Sequence, residues 1–361
     1  MFKLVNQDGK ARTGTLSTSH GEIETPFFMP VATKAVGKFI TSDDYKELNI
    51  KALICNAFLI SLQPGLELID KFGSVHDFMN YQGVMFNDCG GFQMLRENLL
   101  SHTTNNGIFF KNPYGKDVFI RPSTIMDIQQ RTGGDVIMAL DCVLPFGKTK
   151  EDYEEAIVKS HKWTTQCKEL HNTKQLLFGI IQGGTFPDLR KQSAEYINSL
   201  NLDGNAIGGL GLGEPKEKMF EMIDISTKVL NPEKPRYLMG VGDPEQILEC
   251  IERGIDIFDS ILPAKHSRHG QLFTWNGVLT LKKAKYKEDK IPIEEHCTCS
   301  TCKNFSRAYL RYLLKTNDAA GKRLRTIHNL HFMNEFMKKI RESIKENKFT
   351  EFKKTFLKNY Q

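Results

Sequence analysis

Eight short apolar runs, most of them closed by a Gly, Asp or Gln and followed by a helical pattern, set the main constraint on this chain. They lie at 27–31, 52–57, 84–88, 135–141, 176–182, 205–210, 236–241 and 255–259. Their hydrophobicity is continuous rather than alternating, as expected of parallel strands covered on both faces. Helical patterns fall between most of them, clearest at 151–171, 187–200, 215–230 and 244–253. Pro187, Pro215 and Pro244 each stand where such a helix would begin, a place that tolerates a missing N–H. Eight strand–helix units predict an α/β fold of the (β/α)8 TIM barrel type rather than an open doubly wound sheet. The competing dinucleotide signal, glycine-rich runs at 208–213 and 240–242, lacks the acid that should follow at the end of the next strand.

In such barrels the chemistry comes from the C-terminal ends of the strands and the loops after them. Here those ends supply Asp88, Asp141, Gln182, Gly208-Gly209, Gly240 and Asp259. Any one of these could cap a turn. Three carboxylates, an amide and several glycines converging on one mouth predict a functional pocket instead. The stretch Gly254-Ile255-Asp256-Ile257-Phe258-Asp259 reads as a buried strand with Asp259 at its end. The Pro-containing loop that follows carries Lys265 and Arg268, two cations suited to phosphate.

After the eighth strand the pattern breaks. Three of the eight cysteines crowd into Cys297-Thr298-Cys299-Ser300-Thr301-Cys302, with His328 downstream and His296 and His331 as rivals for a fourth position. The N-terminus carries no apolar signal core, and no apolar run approaches membrane-spanning length. A cytoplasmic protein is expected, and in that compartment clustered thiols point to metal rather than disulfides. Three sulfurs and one imidazole make a closed tetrahedral set, hence a structural zinc site (Zn2+, one per chain). The expected organisation is a barrel over 1–279, a zinc-binding insert over 280–330 and a helical segment over 331–361. That last segment is dense in lysine, and a solvated face and a nucleic-acid contact are equally compatible with it. The net charge of +6 suits a nucleic-acid partner without requiring one.

The residues resemble the tRNA-guanine transglycosylase family in its bacterial form, over essentially the whole chain. The motifs that carry the resemblance are Asp88-Cys89-Gly90-Gly91-Phe92-Gln93, Gly179-Ile180-Ile181-Gln182-Gly183-Gly184 and Gly208-Gly209-Leu210-Gly211-Leu212-Gly213-Glu214. To these are added Tyr237-Leu238-Met239-Gly240-Val241-Gly242 and the run from Asp259 to Arg268. The resemblance implies exchange of guanine at the wobble position of tRNAs with GUN anticodons for a 7-deazaguanine base, within queuosine modification. It implies Asp259 as nucleophile at C1′ and Asp88 as general acid and base, since retention at an anomeric carbon takes two displacements. It further implies that Asp141, Gln182, the Gly209 N–H and the Leu210 carbonyl read the base edge, and that Phe92 and Met239 sandwich its plane. Lys265 and Arg268 would anchor the anticodon loop of the tRNA, the zinc ligands would be Cys297, Cys299, Cys302 and His328, and the partner would be a second copy, giving a homodimer.

Some positions depart from common family usage. Val143 follows Cys142 where many bacterial members have Glu-Cys, a feature of queuine-using enzymes, whereas bulky Leu212 stands where those enzymes have Gly. The smaller base preQ1 is therefore expected, with queuine as the alternative. Lys265 in place of Arg keeps the charge but loses the bidentate fork. Two other readings are a non-catalytic partner subunit of a heterodimer, which would have lost its catalytic acids, and base exchange on DNA.

Overall fold

The computed structural model describes residues 1–91, 100–112 and 115–360. The chain opens with an antiparallel meander, β1 (Phe2–Asp8), β2 (Ala11–Thr18) and β3 (Gly21–Thr25). Next come β4 (Phe27–Pro30), β5 (Ala52–Asn56) and β6 (Val84–Asp88). A second meander follows, β7 (Leu100–Thr104), β8 (Gly107–Lys111) and β9 (Asp117–Ile120). Five further strands are β10 (Val136–Met138), β11 (Leu176–Ile181), β12 (Gly204–Ile207), β13 (Arg236–Leu238) and β14 (Ile257–Ser260), and a hairpin of β15 (Gln271–Thr274) and β16 (Gly277–Thr280) succeeds them.

The eight runs read from the sequence become one parallel sheet in the order β4-β14-β13-β12-β11-β10-β6-β5. A parallel bridge between Val31 and Ile54 joins its two ends, so the sheet curls into a barrel. Helices 150–170, 187–199, 216–229 and 244–252 pack outside it, each within one or two residues of the expected limits. Pro187 and Pro244 occupy the first helical turn, while Pro215 stands one place earlier as the N-cap.

One parity of each strand fills the barrel. Phe27 and Met29, Ala52 and Ile54, Val84 and Phe86, Phe178 and Ile180, Ala206, Tyr237 and Ile257 form a single buried cluster. Leu16 and Ile23 from the first meander join it and close the end where the strands begin. Below them Arg12 grips Asp256 with Nε on Oδ1 at 2.8 Å and Nη2 on Oδ2 at 2.5 Å, both side chains buried. This ties the meander to the strand that carries Asp259.

Neither meander was anticipated from the sequence. The second one springs from the loop after β6 and covers Phe58 with Phe110 at a ring separation of 4.9 Å. The terminal part also differs from the expected division at 330. Helix Ala319–Lys345 runs unbroken through that position, so His328 and the lysine-rich tail share one element. Two tail lysines hold acids of the barrel region. Lys345 meets Glu24 at 2.5 Å, and Lys353 meets Glu249 and Glu252 at 2.6 Å each. No helix among the described residues is long and apolar enough to cross a membrane.

Candidate active site and metal centre

The parity that fills the barrel also delivers the site. Two residues beyond Phe86 on the same face is Asp88, two beyond Ile180 is Gln182, and two beyond Ile257 is Asp259. In a barrel the last inward position of each strand forms the floor of the mouth. Met239 arrives in the same way after Tyr237 and packs, partly buried, on the interior cluster.

Asp141 does not follow this rule. β10 ends at Met138, and Ala139 and Leu140 both pack outside the barrel with Trp163 and Cys167. The chain changes phase there, and Asp141 reaches the mouth where simple alternation would have placed Leu140. Its Oδ2 accepts from Gln182 Nε2 at 2.6 Å, and Cys89 Sγ lies 3.7 Å from its Oδ1.

Gly208 and Gly209 make room for this amide. A Cβ on Gly209 would stand 2.3 Å from Gln182 Oε1, and one on Gly208 would stand 2.8 Å from Nε2. Gly209 also has φ +65°, a conformation that costs a side-chain-bearing residue energy. Behind it the buried Arg190 donates to the carbonyls of Gly184, Ile181 and Gly209, fixing the loop on which Leu210 sits. The Leu210 side chain itself is in the outer core, so only its backbone is available to the mouth. Glu214 accepts from Gly211 N–H at 2.5 Å and Leu212 N–H at 2.9 Å and closes the same loop.

Asp259 is held by one oxygen. Tyr237 Oη donates to Oδ1 at 2.6 Å, and Gly240 N–H donates to the same atom at 2.8 Å. Asp88 is approached by Asn56 Nδ2 at 3.4 Å and by the N–H groups of Gly90 and Cys89. Burial pushes the Asp88 carboxyl up to about 7 against those N–H donors, and the neighbouring Asp141 and Asp259 add to the rise. Burial takes Asp141 to about 6 despite the Gln182 and Cys89 donors. Asp259 is also raised by burial, with Tyr237 and Gly240 pulling the other way. The three acids thus sit in one low-dielectric pocket in different states of support, the arrangement that lets one site both give and take a proton near neutrality.

Lys265 and Arg268 lie on the short helix Leu262–Arg268 that begins just after β14. Lys265 is exposed, and Arg268 Nε donates to Ala264 O at 3.1 Å. Phe92 lies outside the described residues. The sequence motifs contain Tyr237 but assign it no role. The sequence signal was available: a Tyr at an inward strand position needs a partner for its hydroxyl.

Cys297, Cys299, Cys302 and His328 come together with all four ligand atoms within 4.8 Å of one another. His328 Nδ1 stands 3.7, 3.8 and 3.3 Å from the three sulfurs. A tetrahedron with metal–ligand bonds of 2.0–2.3 Å has edges of about 3.6 Å, so the set fits one ion. His328 Nε2 lies 2.8 Å from the Phe273 carbonyl, the outer contact that leaves Nδ1 for a metal. The rival His331 meets Thr298 Oγ1 at 3.2 Å and stands beside Cys297 outside the set of four.

A second group of potential ligands, His20, His76 and Asp135, lies at the opposite pole. Its imidazoles are stacked at 3.6 Å with 12° between their planes. A metal binds in the plane of an imidazole, and two nearly parallel planes share no nearby point. The cluster is therefore a brace, in which one buried carboxylate takes the His20 ring at 2.9 Å and the Met85 N–H, and lies 3.4 Å from His76 Nε2.

A model of the family described as "Queuine tRNA-ribosyltransferase" matches residues 7–361. Curated proteins named Queuine tRNA-ribosyltransferase are similar along their whole length. That of Desulforamulus reducens is 43% identical over 97% of this chain and 95% of its own. That of Caldanaerobacter subterraneus subsp. tengcongensis is 43% identical over 99% and 97%. That of Francisella tularensis subsp. novicida is 40% identical over 100% and 99%.

Proposed function

On the premise that this chain belongs to the queuine tRNA-ribosyltransferase family of pentosyltransferases, we propose that it replaces guanine at the tRNA wobble position by double displacement through Asp259. The observation that carries this reading is the pairing of Asp259 with Asp88 in one buried mouth, the second pushed up to about 7. In the first half-reaction an Asp259 oxygen attacks C1′ of the target nucleotide, and the bond to guanine breaks with its electron pair. Protonated Asp88 supplies the proton that the departing guanine needs. In the second half-reaction the Asp88 carboxylate takes a proton from the incoming base, which attacks C1′ and frees Asp259.

Asp141, Gln182, the Gly209 N–H and the Leu210 carbonyl read the base edge. Gln182 Nε2 gives one hydrogen to the Asp141 carboxylate before a base arrives and has a second to offer the base. Met239 supplies one face of the sandwich, with Phe92 assigned the other. Lys265 and Arg268 anchor the anticodon loop. The metal is zinc, bound by Cys297, Cys299, Cys302 and His328. With all four positions taken by protein it supplies structural cross-linking and no chemistry at the mouth. The incoming base is a 7-deazaguanine, preQ1 before queuine, the working assembly is a homodimer, and the compartment is the cytoplasm.

The test is denaturing electrophoresis of the enzyme with a labelled anticodon stem-loop. An adduct present in the wild type and absent in Asp259→Asn supports the reading, and its absence from the wild type under turnover conditions overturns it. Labelled-guanine exchange into tRNA and into duplex DNA distinguishes the nucleic acid. Competition of preQ1, preQ0 and queuine with guanine identifies the base.

A further inference from the structure

We propose that Cys89 is a positioning residue for base recognition: its thiol holds Oδ1 of Asp141 and sets the charge state in which Asp141 meets the base. This rests on the reading above that Asp141 contacts the base.

The geometry assigns the two oxygens of Asp141 to different donors. Oδ2 takes the Gln182 amide at 2.6 Å, and Oδ1 faces Cys89 Sγ at 3.7 Å. Gln182 shares its amide between Asp141 and an incoming base, whereas the thiol, among the acids of the mouth, faces Asp141 alone as a donor. Cys89 is placed for this by the loop after β6. Gly90 turns with φ +90°, and a Cβ on Gly91 would stand 3.4 Å from Asp141 Oδ1 and 4.0 Å from the Cys89 sulfur. The thiol is fully enclosed, and burial with the adjacent Asp141 and Asp88 raises it well above its ordinary range, so it stays an S–H donor.

The titratable groups that face Asp141 are Asp88 and Cys89 from β6 and its loop, with Cys142 beside it in its own loop. β11 contributes the neutral Gln182. Among the described residues Asp141 forms no ion pair, so hydrogen-bond donors (Gln182, Cys89 and its own N–H) are what oppose the rise that burial imposes. A thiol is a weak donor. It steadies the carboxylate less than a hydroxyl would, which fits a group that burial holds at about 6. Only the ionised form offers both oxygens as acceptors to the paired N–H groups of a guanine-like edge. The Cys89 contact therefore controls how far into acid pH the enzyme captures a base.

The experiment measures KM and kcat for labelled-guanine exchange between pH 5 and 8.5 in the wild type, Cys89→Ala, Cys89→Ser and Asp141→Asn, with thermal melting of each. Loss of the donor in Cys89→Ala should raise the acid limb of kcat/KM by about half a pH unit, roughly a twofold loss at pH 6 that approaches about threefold at pH 5, with a smaller change at pH 8 where Asp141 is ionised in both. Cys89→Ser should restore the limb to the wild-type position or below it. Superimposable profiles, or a loss that is uniform across pH, overturn the proposal. If Asp141→Asn raises KM while the Cys89 variants leave the limb in place, only the role of Cys89 falls. If Asp141→Asn leaves KM unchanged, the base-reading assignment falls first.

Discussion

Tyr237 and Asp259 meet through a single oxygen: the phenol donates to Oδ1 at 2.6 Å, and the Gly240 amide reinforces the same atom. This leaves Oδ2 without either restraint, so the carboxylate is oriented and still has an oxygen to offer. Removing the phenol in Tyr237→Phe takes away a hydrogen bond to a charged acceptor, worth about 1.5–3 kcal/mol. The expected result is a fall in kcat of roughly 10- to 100-fold. Because that bond pulls the Asp259 carboxyl down, its loss raises the carboxyl further, and the acid limb of the pH–rate profile should move to higher pH. An unchanged profile would contradict this.

Asp88 is the acid whose state matters most near neutrality. Its carboxyl is held at about 7, far above the unfolded value, so the native state binds its proton more tightly than the unfolded state. The contribution to stability is fully present below the unfolded value and is lost as pH rises through about 7. Asp88→Asn should therefore raise the melting temperature at pH 8, on the order of 1 kcal/mol or more, and leave it nearly unchanged at pH 4. It should abolish base exchange at both. Melting curves at the two pH values check the sign.

Gly209→Ala tests the base pocket without touching an acid. The added methyl would lie 2.3 Å from Gln182 Oε1 at a positive φ. Displacement of Gln182 should raise KM for guanine by at least tenfold, with the adduct at Asp259 still trappable at saturating base. Isotope exchange over a range of guanine concentrations reads this directly.

Arg12 is far from the mouth and acts on stability. With Asp256 fully enclosed, Arg12→Ala leaves a buried carboxylate without its cation and should cost about 3–5 kcal/mol. Replacing both partners by Leu should cost less than the single change. Denaturant unfolding of the two variants decides the order.

Metal removal should loosen the C-terminal unit and spare the chemistry. Cys302→Ser or a chelator takes a corner from the Cys3His set that joins the 297–302 loop to helix Ala319–Lys345. A drop in melting temperature is expected, with the pH dependence of any residual activity unchanged. Loss of the metal without loss of stability would sink the structural assignment.

Much of the site was legible because strand parity is local. Once Val84 and Phe86 face the barrel interior, Asp88 must face the mouth, and the same step leads from Ile180 to Gln182 and from Ile257 to Asp259. The thiol cluster was legible from spacing, since close sulfurs need one ion to share. The two meanders escaped because one precedes the first barrel strand and the other is inserted between β6 and β10, so neither changes the order of the eight strands.

What the chain fixed by itself was the set of strands, the acids at their ends and the three sulfurs, because each depends only on neighbours within a few residues. Three things needed the fold. These are the phase change that brings Asp141 rather than Leu140 to the mouth, the choice of His328 over His331, and the contacts of Tyr237 and Cys89 with their acids. All three bring together groups from different strands or helices. Curvature, strand stagger and packing set those distances, and no stretch of sequence carries that information locally.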